Sequence, residues 1–233
     1  MMRINKYISE TGICSRREAD QWVEQGRIAI NGVNATLGSK VNEGDIVSLD
    51  GLPLGNKPKP IYIALNKPIG ITCTTEAHIK DNIVDFVGHK ERIFPIGRLD
   101  KDSEGLILLT NDGDIVNEIL RVENAHEKEY IVTVDKLVTD TFLKSMASGV
   151  RIMGELTKGC KVARIDTTTF RIVLTQGLNR QIRRMCAAFD YKVRHLQRVR
   201  IMHIELGDLK KGKWRNLTEK EIEQFAAGSF VSD

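Results

Sequence analysis

Apolar side chains recur at helical spacing near the start of the chain and at strand spacing beyond residue 60. Ile4, Tyr7 and Ile8 lie three and four positions apart, which predicts a helix over Arg3 to Thr11, and Gly12 suits the left-handed residue that follows one. Ser15-Arg16-Arg17-Glu18 has the spacing of a capping box. It opens a second helix whose buried stripe is Ala19, Trp22 and Val23, and Gly26 closes it. Arg27 to Ile30 then reads as a short strand, Asn31-Gly32 as a hairpin turn, and Asp45 to Leu49 as an alternating strand. Residues 1–50 thus form a module of two helices and a small sheet.

Residues 51–60, Gly-Leu-Pro-Leu-Gly-Asn-Lys-Pro-Lys-Pro, hold three of the five prolines and two glycines. Proline removes a backbone donor and biases its predecessor toward extended geometry, so this stretch reads as a semi-stiff linker. From 61 to 233 strands alternate with helices. Ile61 to Leu65, Leu106 to Leu109, Tyr130 to Val134 and Phe170 to Thr175 have strand patterns, and helices are expected at 113–121, 139–148, 179–189 and 219–226. Mostly consecutive strands with occasional helices imply an α+β fold on an antiparallel or mixed sheet.

Composition narrows the function. The chain is 41% apolar and 28% charged, an ordinary globular mixture, and no apolar run approaches the roughly 18 residues of a membrane span. Met-Met-Arg-Ile-Asn-Lys at the start lacks the apolar stretch of a secretory signal. Cys14, Cys73, Cys160 and Cys186 form no Cys-x-x-Cys pair and the five histidines are scattered, so neither metal ligation nor a disulfide framework is expected. A reduced, cytoplasmic protein is the expectation. The net charge of +4 is slight, so where the charges sit matters more.

Three stretches could carry chemistry. In Gly97-Arg98-Leu99-Asp100-Lys101-Asp102-Ser103-Glu104-Gly105, Asp100 has cations on both sides. Nearby positive charge favours the ionised carboxylate, which suits a nucleophile or base. A surface turn would have the same composition, and an acid and base pair from Asp100 and Asp102 is a further option. In Gly177-Leu178-Asn179-Arg180-Gln181-Ile182-Arg183-Arg184-Met185, a helix from 178 puts Leu178, Ile182, Met185 and Phe189 on one side and three arginines opposite. Residues 171–200 hold eight Arg or Lys against one acid, Asp190, and seven of the eight are arginines, so polyanion binding is expected. The third is Lys128-Glu129-Tyr130, where Tyr130 taken alone reads as strand core. In the N-terminal module Lys6, Arg16, Arg17 and Arg27 recur near the helix ends, and alone they read as solvated surface.

Taken together these pieces resemble known families. Arg3-Ile4-Asn5-Lys6-Tyr7-Ile8, Ser15-Arg16-Arg17-Glu18-Ala19 and Gly26 to Gly32 resemble the ribosomal protein S4 type RNA-binding domain. Gly97-Arg98-Leu99-Asp100, Asp102-Ser103-x-Gly105-Leu106, Lys128-Glu129-Tyr130 and Gly177 to Met185, with Asn66-Lys67-Pro68-x-Gly70 after the linker, resemble the bacterial ribosomal RNA pseudouridine synthases. The resemblance spans essentially the whole chain, except that Ala226 to Asp233 carries no inference.

It implies an S4 type domain at 1–50, a linker at 51–60, and a catalytic domain at 61–233 with a mixed, mainly antiparallel sheet. The implied reaction turns a uridine of ribosomal RNA, large-subunit RNA foremost, into pseudouridine without metal or cofactor. Small-subunit or transfer RNA is an alternative substrate, and a non-catalytic ribosome-assembly factor an alternative function. Such a binder would have no reason to keep Asp100, Tyr130 and Arg183. By match, Asp100 is the catalytic aspartate, whether it attacks the ribose, attacks the base or abstracts a sugar proton. Arg98 would orient and charge-balance it, Tyr130 would stack on the flipped base, and Arg183 would reach the Asp100 carboxylate. Arg180 and Arg184 would hold phosphates, as would Lys6, Arg16, Arg17 and Arg27 in the first domain. A monomer is expected, with no membrane partner.

Overall fold

The computed structural model describes residues 1–120 and 126–228. The chain divides into two compact units. One is built on Met1–Ile61 with His89–Ile93 and Asn111–Gly113, and the other holds the remainder.

The first unit contains β1 (Met2–Arg3), α1 (Ile4–Glu10), α2 (Arg16–Glu24), β2 (Ile28–Ile30), β3 (Val33–Asn34), β4 (Lys40–Val41), β5 (Val47–Leu49) and β6 (Leu52–Pro53). The capping box forms as expected. Ser15 Oγ accepts from the Glu18 amide at 3.2 Å, and the Ser15 amide donates to Glu18 Oε2 at 3.3 Å. Asn31 and Gly32 both take positive φ, at 50° and 80°, the geometry that a two-residue hairpin demands. β3, β2, β5 and β6 form an antiparallel sheet. The core joins Ile4 and Ile8 of α1 to Ala19 and Val23 of α2 and to Ile28 and Val47 of the sheet. The stretch read as a linker is not wholly irregular, because Leu52 and Pro53 pair with Leu49 and Ser48. β6 has a single partner strand, so the donor that Pro53 lacks is not needed by a second neighbour.

The second unit opens with β7 (Tyr62–Lys67), α3 (Ile83–Val87), β8 (Phe94–Ile96), β9 (Glu104–Thr110), α4 (Gly113–Leu120) and β10 (Lys128–Val134). It continues with α5 (Asp140–Ala147), β11 (Arg151–Ile152), β12 (Glu155–Leu156), β13 (Lys161–Arg164), β14 (Thr169–Leu174) and α6 (Gln181–Ala187). β15 (Val193–Ile201), β16 (Ile204–Glu205), β17 (Trp214–Asn216) and α7 (Glu219–Gly228) complete it. The main sheet runs β13-β14-β10-β15-β9-β7-β17, with β8 on β9 and β16 on β15. Every pairing is antiparallel except β15 with β9, so the sheet is mixed and mainly antiparallel, as expected.

All seven residues of β9 are buried, which is why its sequence runs apolar instead of alternating. α6 turns Ile182 and Met185 into one core cluster, with Leu178 and Phe189 packed beside it, the stripe read from the sequence, and Cys186 joins them. α7 begins at a second capping box, in which Thr218 and Glu221 exchange backbone-to-side-chain hydrogen bonds, and runs two residues past the expected end.

The parallel joint between β9 and β15 is narrow. Gly105 stands opposite Arg198 with φ at 105°, and a Cβ at that position would lie 2.2 Å from the Arg198 carbonyl oxygen. A backbone oxygen cannot yield as a flexible side chain can. Gly105→Ala is therefore expected to cost about 3 kcal/mol or more of stability, read by denaturant melting. Gly55→Ala, which meets nothing within 4 Å, is the control and should shift stability by less than about 0.5 kcal/mol. Equal stability of the two variants would refute the role given to Gly105.

Candidate active site

The loop between β8 and β9 carries Arg98, Leu99, Asp100, Asp102 and Ser103. It is braced from below by the stretch that follows β7. Leu99 is buried and its amide donates to Cys73 Sγ at 3.4 Å, while the Gly70 amide donates to the Lys101 carbonyl at 2.8 Å. Lys67 is fully buried, with Nζ donating to the carbonyls of Pro68 and Ile71, each at 2.9 Å. Burial pushes its ammonium below the usual lysine range, and the nearby carboxylates of Asp100 and Asp102 oppose the shift. The Asn66-Lys67-Pro68-x-Gly70 segment is thus the floor under the aspartate loop.

Behind the loop, Glu104 is buried, with its carboxylate 2.8 Å from His195 Nε2 and 2.7 Å from Lys211 Nζ. Burial raises its pKa, but the hydrogen bonds from Lys211 and His195 outweigh that and hold the carboxyl below its ordinary value.

Asp100, Tyr130, Arg180 and Arg183 line one cavity of about 480 Å³. β10 supplies Tyr130, β15 supplies Leu196 and Arg198, and the approach to α6 supplies Gly177, Asn179 and Arg180. The Asp100 side chain is 35% exposed, and its Oδ2 lies 3.7 Å from Arg180 Nη1. Arg180 also forks onto Asp102 with two bonds of 2.9 Å. That fork keeps the Asp102 carboxyl below its ordinary range. Asp102 is therefore held ionised, which removes it as the acid of an acid and base pair with Asp100.

Two contacts differ from expectation. Arg183 does not reach the Asp100 carboxylate. Its Nη2 donates to the Asp102 carbonyl at 2.9 Å and to Ser103 Oγ at 3.1 Å, and its Nε stands 3.5 Å from Asp102 Oδ2. Arg180 takes the place beside Asp100 because it is not helical. It sits ahead of α6 in the left-handed conformation, φ 49° and ψ 36°, off the arc that a helix starting at 178 would give it. Arg98 is exposed at the cavity, and no ion pair joins it to Asp100 among the described residues. Of the remaining cations, Arg184 is bound to the Asn179 carbonyl and side chain.

In the first unit, Lys6 pairs with Glu10 at 3.4 Å and Arg16 donates to Asn5 Oδ1 at 3.4 Å. Arg27 forks onto Asp50 and lies over the Trp22 ring, and Arg17 is exposed. Lys67, Glu104 and Lys128 stood in the quoted motifs and Arg198 in the count of cations, but none of them had a role assigned from the sequence. Arg198 and Lys128 line the cavity, and the signal for both was the position of a charged residue within a sheet strand.

The four thiols are free and shielded. Burial pushes Cys160 up to about 11 and Cys186 up to about 12, so neither is a ready nucleophile. No group of three or more His, Cys, Asp or Glu among the described residues is arranged to hold a metal ion. No described helix is long and apolar enough to cross a membrane.

A family model described as RNA pseudouridylate synthase matches residues 61–188, and an S4 domain model matches residues 2–47. The chain belongs to the RNA pseudouridylate synthase family. It is 57% identical over 223 residues to the dual-specificity RNA pseudouridine synthase RluF of Shigella flexneri, covering 95% of this chain and 77% of that one. It is 38% identical to an uncharacterized RNA pseudouridine synthase of Aquifex aeolicus, covering 96% and 93% of the two. A crystal structure of a pseudouridylate synthase superposes with a TM-score of 0.70 at 30% identity, covering 97% of this chain and all of that one. As a member of the family, the chain is an RNA-modifying isomerase with an S4 RNA-binding domain at its N-terminal end.

The ion pairs behind the aspartate loop make stability in acid a check on its support. With the folded Glu104 carboxyl held below 4.5, its contribution is complete above that value and is lost as pH falls through the lower folded value. Glu104→Gln is expected to cost about 1–2 kcal/mol at neutral pH, by giving His195 and Lys211 a neutral amide oxygen in place of the carboxylate they share. The gap to the parent should close as pH drops from about 5 downward in urea melts. A gap independent of pH would mean that the charge of Glu104 does not matter.

Proposed function

We propose that the protein isomerises uridine to pseudouridine in ribosomal RNA, with Asp100 as the catalytic carboxylate. The observation that carries this reading is the shared cavity of Asp100, Tyr130 and Arg180 in a chain of this family. The uridine leaves its RNA stack and enters the cavity, where the Tyr130 ring replaces the lost stacking. The Asp100 carboxylate then acts on the ribose or the base while Arg180 balances its charge. Arg183 braces the loop through Asp102 and Ser103, so it acts by positioning. Arg98 and Arg184 hold RNA phosphates beside the cavity, and Lys6, Arg16 and Arg17 do so on the first unit. Arg27 would have to exchange Asp50 for a phosphate to join them.

No cofactor enters this scheme, and the protein acts as a monomer in the cytoplasm. The domain division proposed is an S4 domain over 1–50, a connection over 51–60 that begins with β6, and the catalytic domain from 61. The 57%-identical relative is named for dual specificity, so a second RNA class joins ribosomal RNA as a proposed substrate.

Asp100→Asn should abolish pseudouridine formation while RNA affinity changes by less than about threefold, since the carboxylate is asked only for chemistry. Mapping pseudouridines in total RNA from a deletion strain, complemented by parent or variant, reads both the target and the role of Asp100. Full activity of the variant would overturn the assignment. Tyr130→Phe should cost less activity than Tyr130→Ala, because the ring face survives and stacking is worth about 1–3 kcal/mol per base. A larger loss for Phe, measured in single turnovers, would transfer the role from the ring to the hydroxyl.

A further inference from the structure

Arg198 is 3% exposed on β15, in the wall of the cavity, opposite Tyr130 on one side and Gly105 on the other. Its Nε donates to the Leu106 carbonyl at 2.7 Å and its Nη1 to the Arg98 carbonyl at 3.3 Å. Nη2 has no acceptor, and no carboxylate pairs with the guanidinium among the described residues. The guanidinium carbon lies 6.0 Å from the centroid of the Tyr130 ring.

This is an unusual place for a cation. Taking a charge out of water costs several kcal/mol unless an opposite charge compensates it. Arg180 and Arg183, also on this cavity, have their compensation in Asp102. Neutral donors could satisfy the two carbonyls that Arg198 holds, so hydrogen bonding alone does not account for a full positive charge there. A positive charge left uncompensated beside a reaction cavity is available to negative charge that develops in the reacting molecule.

We propose that Arg198 stabilises the negative charge that uracil acquires when its glycosidic bond breaks. This rests on the isomerase reading above. Cleavage of the C1′–N1 bond leaves both bonding electrons on the base, as an anion spread over N1 and the carbonyl oxygens, and leaves C1′ electron-poor. The Asp100 carboxylate answers that deficiency by bonding to C1′ or by taking the C2′ proton. The charge is discharged when C5 of the turned base bonds to C1′, which breaks the Asp100–C1′ bond or, on the other route, returns the proton from Asp100 to C2′. The C5 proton then leaves and N1 gains one, so nothing is oxidised or reduced. A base stacked on Tyr130 lies beside the guanidinium, inside a cavity where charges act strongly.

The test compares uridine with 5-fluorouridine at the target position of the RNA, in single turnovers of the full chain, scoring loss of the target nucleoside by mass spectrometry. Fluorine withdraws electrons and makes the base a better leaving anion, so it should relieve an enzyme that has lost its stabilising charge. Arg198→Met is expected to slow uridine about 100-fold or more and 5-fluorouridine about 10-fold or less. Arg198→Lys should bring the ratio of the two rates back toward that of the parent. If Arg198 only holds the Leu106 and Arg98 carbonyls, both substrates slow by the same factor, and the inference is overturned. Should Arg198→Met not fold, Arg198→Gln carries the same expectation. Failure of the parent to convert uridine in any RNA would instead refute the isomerase reading.

Discussion

The catalytic unit depends on one close approach, where β9 and β15 run parallel at Gly105 and Arg198. Two backbones meet there at a distance that admits no side chain on β9, and a positive φ keeps the strand in register. That contact fixes Arg198 against the strand that issues from the aspartate loop. Its guanidinium then binds the loop at the Arg98 carbonyl and the strand at the Leu106 carbonyl, with Tyr130 across the next pair. The distances within the site follow from the sheet, and the loop inherits its position from them.

Charge is distributed unevenly around the two acids of that loop. Asp102 is tied by the fork of Arg180 and the Nε of Arg183, whereas Asp100 has a single, longer contact with Arg180. One carboxylate is structural and the other is left with capacity for a substrate. Glu104 repeats the tied arrangement behind the loop, with His195 and Lys211 as its partners. Asp102 and Glu104 are thus held by cations on either side of the loop, and Asp100 is the less tied of its carboxylates.

Much of this was legible in the residues themselves. The capping box at Ser15, the Asn31-Gly32 turn, and the stripe of Leu178, Ile182, Met185 and Phe189 express local rules, and they appear where those rules put them. α3, β8 and β13 were not anticipated, and β15, at the centre of the sheet, went unseen. Its sequence, Val-Arg-His-Leu-Gln-Arg-Val-Arg-Ile, reads as a cluster of cations, because Arg198 is buried where an apolar residue is normally expected. The helix before it was begun too early for the same kind of reason. A residue in the left-handed conformation, Arg180, interrupts a periodicity that the apolar positions alone carry on.

From the chain alone came the α+β class and several of the helices, which rest on spacing within short segments, while the candidate set of Asp100, Tyr130 and the arginines of residues 180–184 rests on the resemblance of whole motifs to a family. Which arginine stands beside Asp100, which acid is neutralised, and that a buried cation flanks Tyr130 were decided by packing. Those contacts join residues some eighty to a hundred positions apart, as in Arg180 with Asp102 and Arg198 with Arg98. Their partners are chosen by strand register and by one backbone dihedral, and neither quantity is written in local composition.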